Sequence, residues 1–149
     1  MQEGRLQYII ATLDEELYGF DVRYIESIIE MHKITRVPGS QKHYLGVVNL
    51  RGEIIPVMSL RRKLGLADDE FTDVSRIIIV RPEAGNETVG IAVDEVNEVI
   101  TLGIDDLDTL DYDKKDVSSN YNIAIGKSGD NLINLLNITK LIIEEEDSN

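Results

Sequence analysis

Short apolar runs rich in Ile and Val recur from Leu6 onward, separated by glycines and small polar clusters. Runs of that length and composition predict strands rather than long helices. Residues 6–13 read as a strand, 14–16 as a turn and 17–22 as the returning strand. The unit then repeats: 75–81 as a strand, 82–87 as a turn, 88–93 as its return.

The repetition extends beyond one hairpin. At an offset of 71, residues 18–29 lie on 89–100, with Gly19 on Gly90, Val22 on Val93 and Ile29 on Ile100. At an offset of 78, residues 54–62 lie on 132–140, and Ile55, Val57 and Leu60 meet Ile133, Leu135 and Ile138. Two matches in the same order predict an internal duplication. Two copies are too few for a solenoid. The expectation is an all-β chain of two related lobes, residues 6–72 and 73–143, within one domain spanning 6–143. Each lobe is expected to be a small barrel, with residues 144–149 as a disordered tail.

Local signals refine this. Pro56 lies inside an apolar run and has no N–H for a ladder, so it predicts an edge or a bulge. Asn49-Leu50-Arg51-Gly52 reads as a tight turn, where glycine takes a positive φ without strain. Helix is limited to short pieces, 60–64 stopped by Gly65 and 138–145. The basic triplet Arg61-Arg62-Lys63 reads as part of the first helix's end.

A chain of 149 residues buries enough surface to need no staple. It has no cysteine, which removes disulfides and thiolate chemistry. No secretory leader or membrane-spanning run is visible, so a cytoplasmic location is expected. The net charge of −13 opposes binding to phosphate backbones and anionic lipid.

The chemistry-bearing residues form no recognisable centre. His32 and His43 sit in no ligand motif, and no phosphate loop occurs. The acidic stretch 105–116 fails as a calcium loop. Starting at Asp111, it would place Lys115 at position five, Asp116 at the glycine position and Asn122 where Glu belongs. No metal and no cofactor are expected. Two carboxylates meeting in space, as a small hydrolase requires, stay open as a minor alternative. The expectation is a protein that is not an enzyme.

Longer motifs carry a resemblance. Gly46-Val47-Val48-Asn49-Leu50-Arg51-Gly52-Glu53-Ile54-Ile55-Pro56-Val57 is similar to the central block of the CheW family of bacterial chemotaxis coupling proteins. Leu60-Arg61 and Leu64-Gly65-Leu66 follow it as they do in that family. Tyr18-Gly19-Phe20-Asp21-Val22, Ile34-Thr35-Arg36-Val37-Pro38 and Val89-Gly90-Ile91-Ala92-Val93-Asp94 resemble flanking motifs. Ser59 stands where Asp is common, Ser27 where Glu is frequent, and Asn137 where Asp is frequent.

The resemblance implies two SH3-like five-stranded β-barrel lobes with short helices. It also implies an adaptor that bridges the cytoplasmic tips of chemoreceptors to the regulatory domain of the histidine kinase CheA, recruited to membrane receptor arrays. A CheW-like scaffold wired to another two-component pathway is the alternative. A helical receptor tip needs an apolar groove with spaced anchors. The duplicated positions Ile25, Ile28, Val96 and Val99 are the candidates to line it, and plain core is the competing reading. Arg51 is a candidate to clamp a partner carboxylate or to brace its own turn. Gly46 and Val47 are weaker candidates for a kinase- or receptor-facing surface.

Overall fold

A computed structural model describes residues 5–82, 87–109 and 121–143. The expected tail 144–149, the turn tip at 83–86 and most of the acidic stretch 105–116 lie outside the described residues. The strands are β1 (Leu6–Leu13), β2 (Glu16–Asp21), β3 (Ile25–Glu30), β4 (Tyr44–Leu50), β5 (Glu53–Ser59), β6 (Arg76–Val80), β7 (Val89–Val93), β8 (Glu95–Leu102), β9 (Leu107–Thr109), β10 (Asn122–Ser128) and β11 (Asn131–Leu136). The helices are α1 (Leu60–Lys63) and α2 (Ile138–Ile143).

Two sheets result, ordered β8-β1-β2-β11-β10-β9 and β3-β6-β7-β5-β4. Each contains one parallel pair, β2 with β11 and β5 with β7, among antiparallel ones. The duplication is visible as geometry. β4, β5 and α1 recur in the second repeat as β10, β11 and the start of α2, and β3 recurs as β8.

The sheets do not follow the expected halves 6–72 and 73–143. One is built from 6–21 and 95–136, the other from 25–93. Each lobe takes its first hairpin from one repeat and its remaining strands from the other. One sheet also has six strands where five were expected, because β9 adds beyond β10.

Burial explains the exchange. In β1, Tyr8 and Ile10 point into one lobe's core with Leu102, Ile133 and Leu135. Ile9, Ala11 and Leu13 point the other way, into a core shared with Ile78, Val80, Ile91 and Val93 of the second sheet. In β6, Ile77 and Ile79 fill the second lobe while Ile78 and Val80 join the shared core. A strand apolar on both faces must lie between two packed layers.

The turns obey backbone sterics. Asp14 and Glu15 join β1 to β2 with φ of 50° and 74°. Arg51 and Gly52 join β4 to β5 with φ of 55° and 88°. Positive φ at both central residues matches the right-handed twist of the flanking strands. Pro56 is interior by strand order, yet β5 meets β7 only from Val57 to Ser59. Pro56 therefore has β4 on one side and no second ladder to serve. Ser59 caps α1 by accepting from the Arg62 amide, and Gly65 ends it at φ 78°.

Gly46 is buried at φ 144°, and a Cβ there would lie 2.2 Å from the Thr35 carbonyl oxygen. That contact belongs to the bridge in which Thr35 and Val47 exchange both backbone hydrogen bonds at 2.8 Å. Gly46→Ala should cost roughly 3 kcal/mol in a thermal melt, since strain and a backbone clash add. Gly39→Ala, at φ 82° with open space around it, should cost only about 1 kcal/mol. Equal losses would contradict this packing.

Candidate functional site

The apolar candidates lie on β3 and β8. Side chains three apart on a regular strand point to opposite faces. Ile25 and Ile28 nevertheless share a face, because the register slips at Glu26: Ile25 opposes Val80, Ser27 opposes Ile79 and Ile28 opposes Ile78. β8 slips in the same way at Asn97, so Val96 opposes Ala11 and Val99 opposes Ile9. Glu26 and Asn97 hold equivalent positions in the two repeats, so the bulge is duplicated with the strand. An inserted residue re-aims the side chains beyond it.

All four candidates thus stand on the faces turned toward the core shared by the lobes. Ile25 and Val96 are half-buried against it. Ile28 and Val99 are the outer members, 36% and 51% exposed. The plain-core reading fits the inner pair and fails for the outer one. Both bulges are pinned by side chains. Glu26 accepts from the Thr88 hydroxyl at 3.0 Å and pairs with Arg81, and the Asn97 carboxamide oxygen accepts from the Thr12 hydroxyl.

The other candidates are separated from these. β4 pairs with β5, and neither β3 nor β8 is its ladder partner. Gly46 on it is covered by Thr35 and presents no side chain. Val47 is half-buried. Arg51 is exposed at the turn, and its guanidinium makes no hydrogen bond among the described residues. The turn is braced instead by Asn49, whose side-chain oxygen accepts from the Gly52 amide at 2.9 Å. That removes the bracing role expected of Arg51.

A group missed by sequence reasoning is the junction around Arg61. Only 9% exposed, Arg61 reaches Asp94 through Nε at 2.8 Å and again through Nη2, which also meets Asp14 at 2.6 Å. Its Nη1 donates to the Ala67 carbonyl at 3.1 Å. Hydrogen bonding to Asp94 raises its already high pKa further. One guanidinium so ties α1 to the β1–β2 turn and to the residue preceding β8. Arg62 turns outward to Asp68 and to the Lys42 carbonyl. The triplet does form the last turn of α1, as expected, and the ion pairs of its two arginines are additional to that place.

Asp14, Asp68, Asp69 and Asp94 line one cavity with Arg61. Asp14 and Asp94 are both spent on that guanidinium. Asp69 accepts from the buried Ser59 hydroxyl through Oδ2, while its Oδ1 is buried with no hydrogen-bond partner among the described residues. Burial raises the Asp69 carboxyl above the usual carboxylate range, opposed by Ser59, Arg61 and Arg62. Among the described residues no group of three or more His, Cys, Asp or Glu could hold a metal ion. No helix there is long and apolar enough to cross a membrane.

Comparison with known proteins gives a consistent likeness. The family model described as CheW-like domain matches residues 7–146. The chain is 42% identical over 94 residues to the chemotaxis protein CheW of Bacillus subtilis, covering 63% of this chain and 59% of that protein. It is 31% identical over 140 residues to the chemotaxis protein CheW of Helicobacter pylori, covering 94% and 83%. Its fold matches the crystal structure of the scaffolding protein TtCheW from Thermoanaerobacter tengcongensis with a TM-score of 0.83 at 28% identity, over 93% of this chain and 92% of that one.

The Asp69 environment gives a pH prediction. A folded-state pKa above the unfolded value means that ionising Asp69 disfavours the fold. The penalty is absent below about pH 4, the unfolded carboxylate value, and complete once pH passes the raised one. Asp69→Asn should therefore melt higher than the parent at pH 7, and the gain should vanish as pH falls toward about 4. A gain independent of pH, or a loss at pH 7, would contradict it.

Proposed function

The chain belongs to the CheW-like domain family, and we propose that it is a non-enzymatic adaptor coupling chemoreceptor cytoplasmic tips to the regulatory domain of the histidine kinase CheA. In this reading the protein works in the cytoplasm and is recruited to membrane receptor arrays. No bond is made or broken.

The observation that carries the reading is the duplicated bulge. It brings Ile25 with Ile28, and Val96 with Val99, onto the faces directed at the shared core, leaving the outer residue of each pair exposed. A helical tip lays apolar anchors against apolar side chains of this kind, and in this reading the two pairs line the groove that receives it. The inner residues supply a fixed floor, because they pack on a core that already holds both lobes. The outer residues supply the surface that a partner would dry. A preorganised groove lowers the entropic cost of binding.

Arg61 contributes by position. Through Asp94 it fixes the backbone just before β8, two residues from Val96. Arg51, exposed at a rigid turn, offers planar donors to a partner carboxylate. The lobes would then present separate surfaces to receptor and kinase, each of the modest size that reversible assembly requires.

Val99→Asp should abolish binding to a receptor-tip fragment in a titration. Val99 is half exposed, so melting should shift by no more than about 1 kcal/mol equivalent and the far-ultraviolet spectrum should be unchanged. A variant that unfolds would return Val99 to the core, and unaltered binding would remove the groove.

A further inference from the structure

Charge is distributed unevenly along this chain. Between residues 31 and 63 stand seven Lys and Arg (Lys33, Arg36, Lys42, Arg51, Arg61, Arg62 and Lys63) and one acid, Glu53. That segment carries +6, which leaves −19 on the remainder of a chain whose net charge is −13.

The fold brings part of this charge, Arg36, Lys42 and Arg62, to one surface. The Thr35–Val47 bridge lays the β3–β4 connection antiparallel along β4. Arg36, Lys42 and Arg62 line one cavity together with Val37, Tyr44 and Leu45. Its wall is fixed by Arg62 donating to the Lys42 carbonyl at 2.7 Å.

Internal pairing accounts for only part of these cations. Arg61 is taken by Asp14 and Asp94, and Arg62 by Asp68. Lys33, Arg36, Lys42 and Arg51 are exposed and form no ion pair among the described residues, in a chain with 28 carboxylate side chains. Val37, 41% exposed, adds apolar surface beside them.

We infer that this surface is a docking site for an acidic segment of a partner protein, with carboxylates that meet Lys33, Arg36 and Lys42 and an apolar side chain that meets Val37. Nucleic acid fits less well. The remainder of the chain carries −19 and opposes a long polyanion, whereas a short acidic segment needs only the local positive charge. The surface uses other residues than the apolar one, since none of Ile25, Ile28, Val96 and Val99 lines that cavity.

The test is a nuclear magnetic resonance titration of the full ¹⁵N-labelled chain with a synthetic peptide of alternating glutamate pairs and leucine. Saturable shifts confined to the amides of residues 33–63, weakening as salt is raised, are expected. The triple variant Lys33→Glu, Arg36→Glu, Lys42→Glu should bind at least about tenfold more weakly. The exposed single change Lys42→Gln, which leaves packing alone, should weaken binding about twofold. Val99→Asp should bind the peptide as the parent does, which separates failure of this surface from failure of the apolar groove. Absence of binding, shifts elsewhere, or equal affinity in the triple variant would overturn the inference. A single-stranded oligonucleotide that displaces the peptide would overturn it in favour of nucleic acid.

Discussion

The structure depends on burying both faces of β1 and β6 at once. Tyr8 and Ile10 fill one lobe while Ile9, Ala11 and Leu13 fill the space between lobes. Ile77 with Ile79, and Ile78 with Val80, divide in the same way. Each fully buried aliphatic side chain contributes roughly 1.5–3 kcal/mol. The shared core includes Leu13, Phe20, Met58, Ile78 and Ile91. Separating the lobes would therefore cost as much as opening a domain interior. Exchange of strands between repeats follows, and so does the rigidity of whatever surfaces the lobes carry.

Duplication kept the geometry and let the electrostatics diverge. The bulges at Glu26 and Asn97 recur, as do the slips in β4 and β10. The Arg61 junction does not. Thr139 holds the place of Arg61 in the second repeat, and Arg23 holds the place of Asp94 in the first, where it pairs with Asp21 instead. One side of the interface is therefore locked by a guanidinium, and among the described residues the other is not. The same frame can present two unlike surfaces, as an adaptor with two partners needs.

Much of this was legible in the sequence because it is local. Apolar runs gave the strands, Gly52 and Gly65 marked a turn and a helix end, and internal matching gave the repeat. What was not legible depends on contacts distant in the chain. Lobe boundaries at 72 and 73 assumed that each repeat closes on itself, and nothing local records that β2 pairs with β11. Strand periodicity alone would have set Ile25 and Ile28 on opposite faces, and only the pairing partner reveals the inserted residue. Gly46 resembled a surface residue until Thr35 was seen covering it. Arg61 finds its carboxylates in Asp14 and Asp94, far away in the chain on either side and beyond the reach of any motif.

The most direct measurement is calorimetric titration of this protein with the regulatory domain of the CheA-type kinase from the same cell. The account expects saturable binding at about one to one, with a negative heat-capacity change from buried apolar surface. No heat of binding at tens of micromolar, with the protein folded, would contradict the adaptor role while leaving the fold intact.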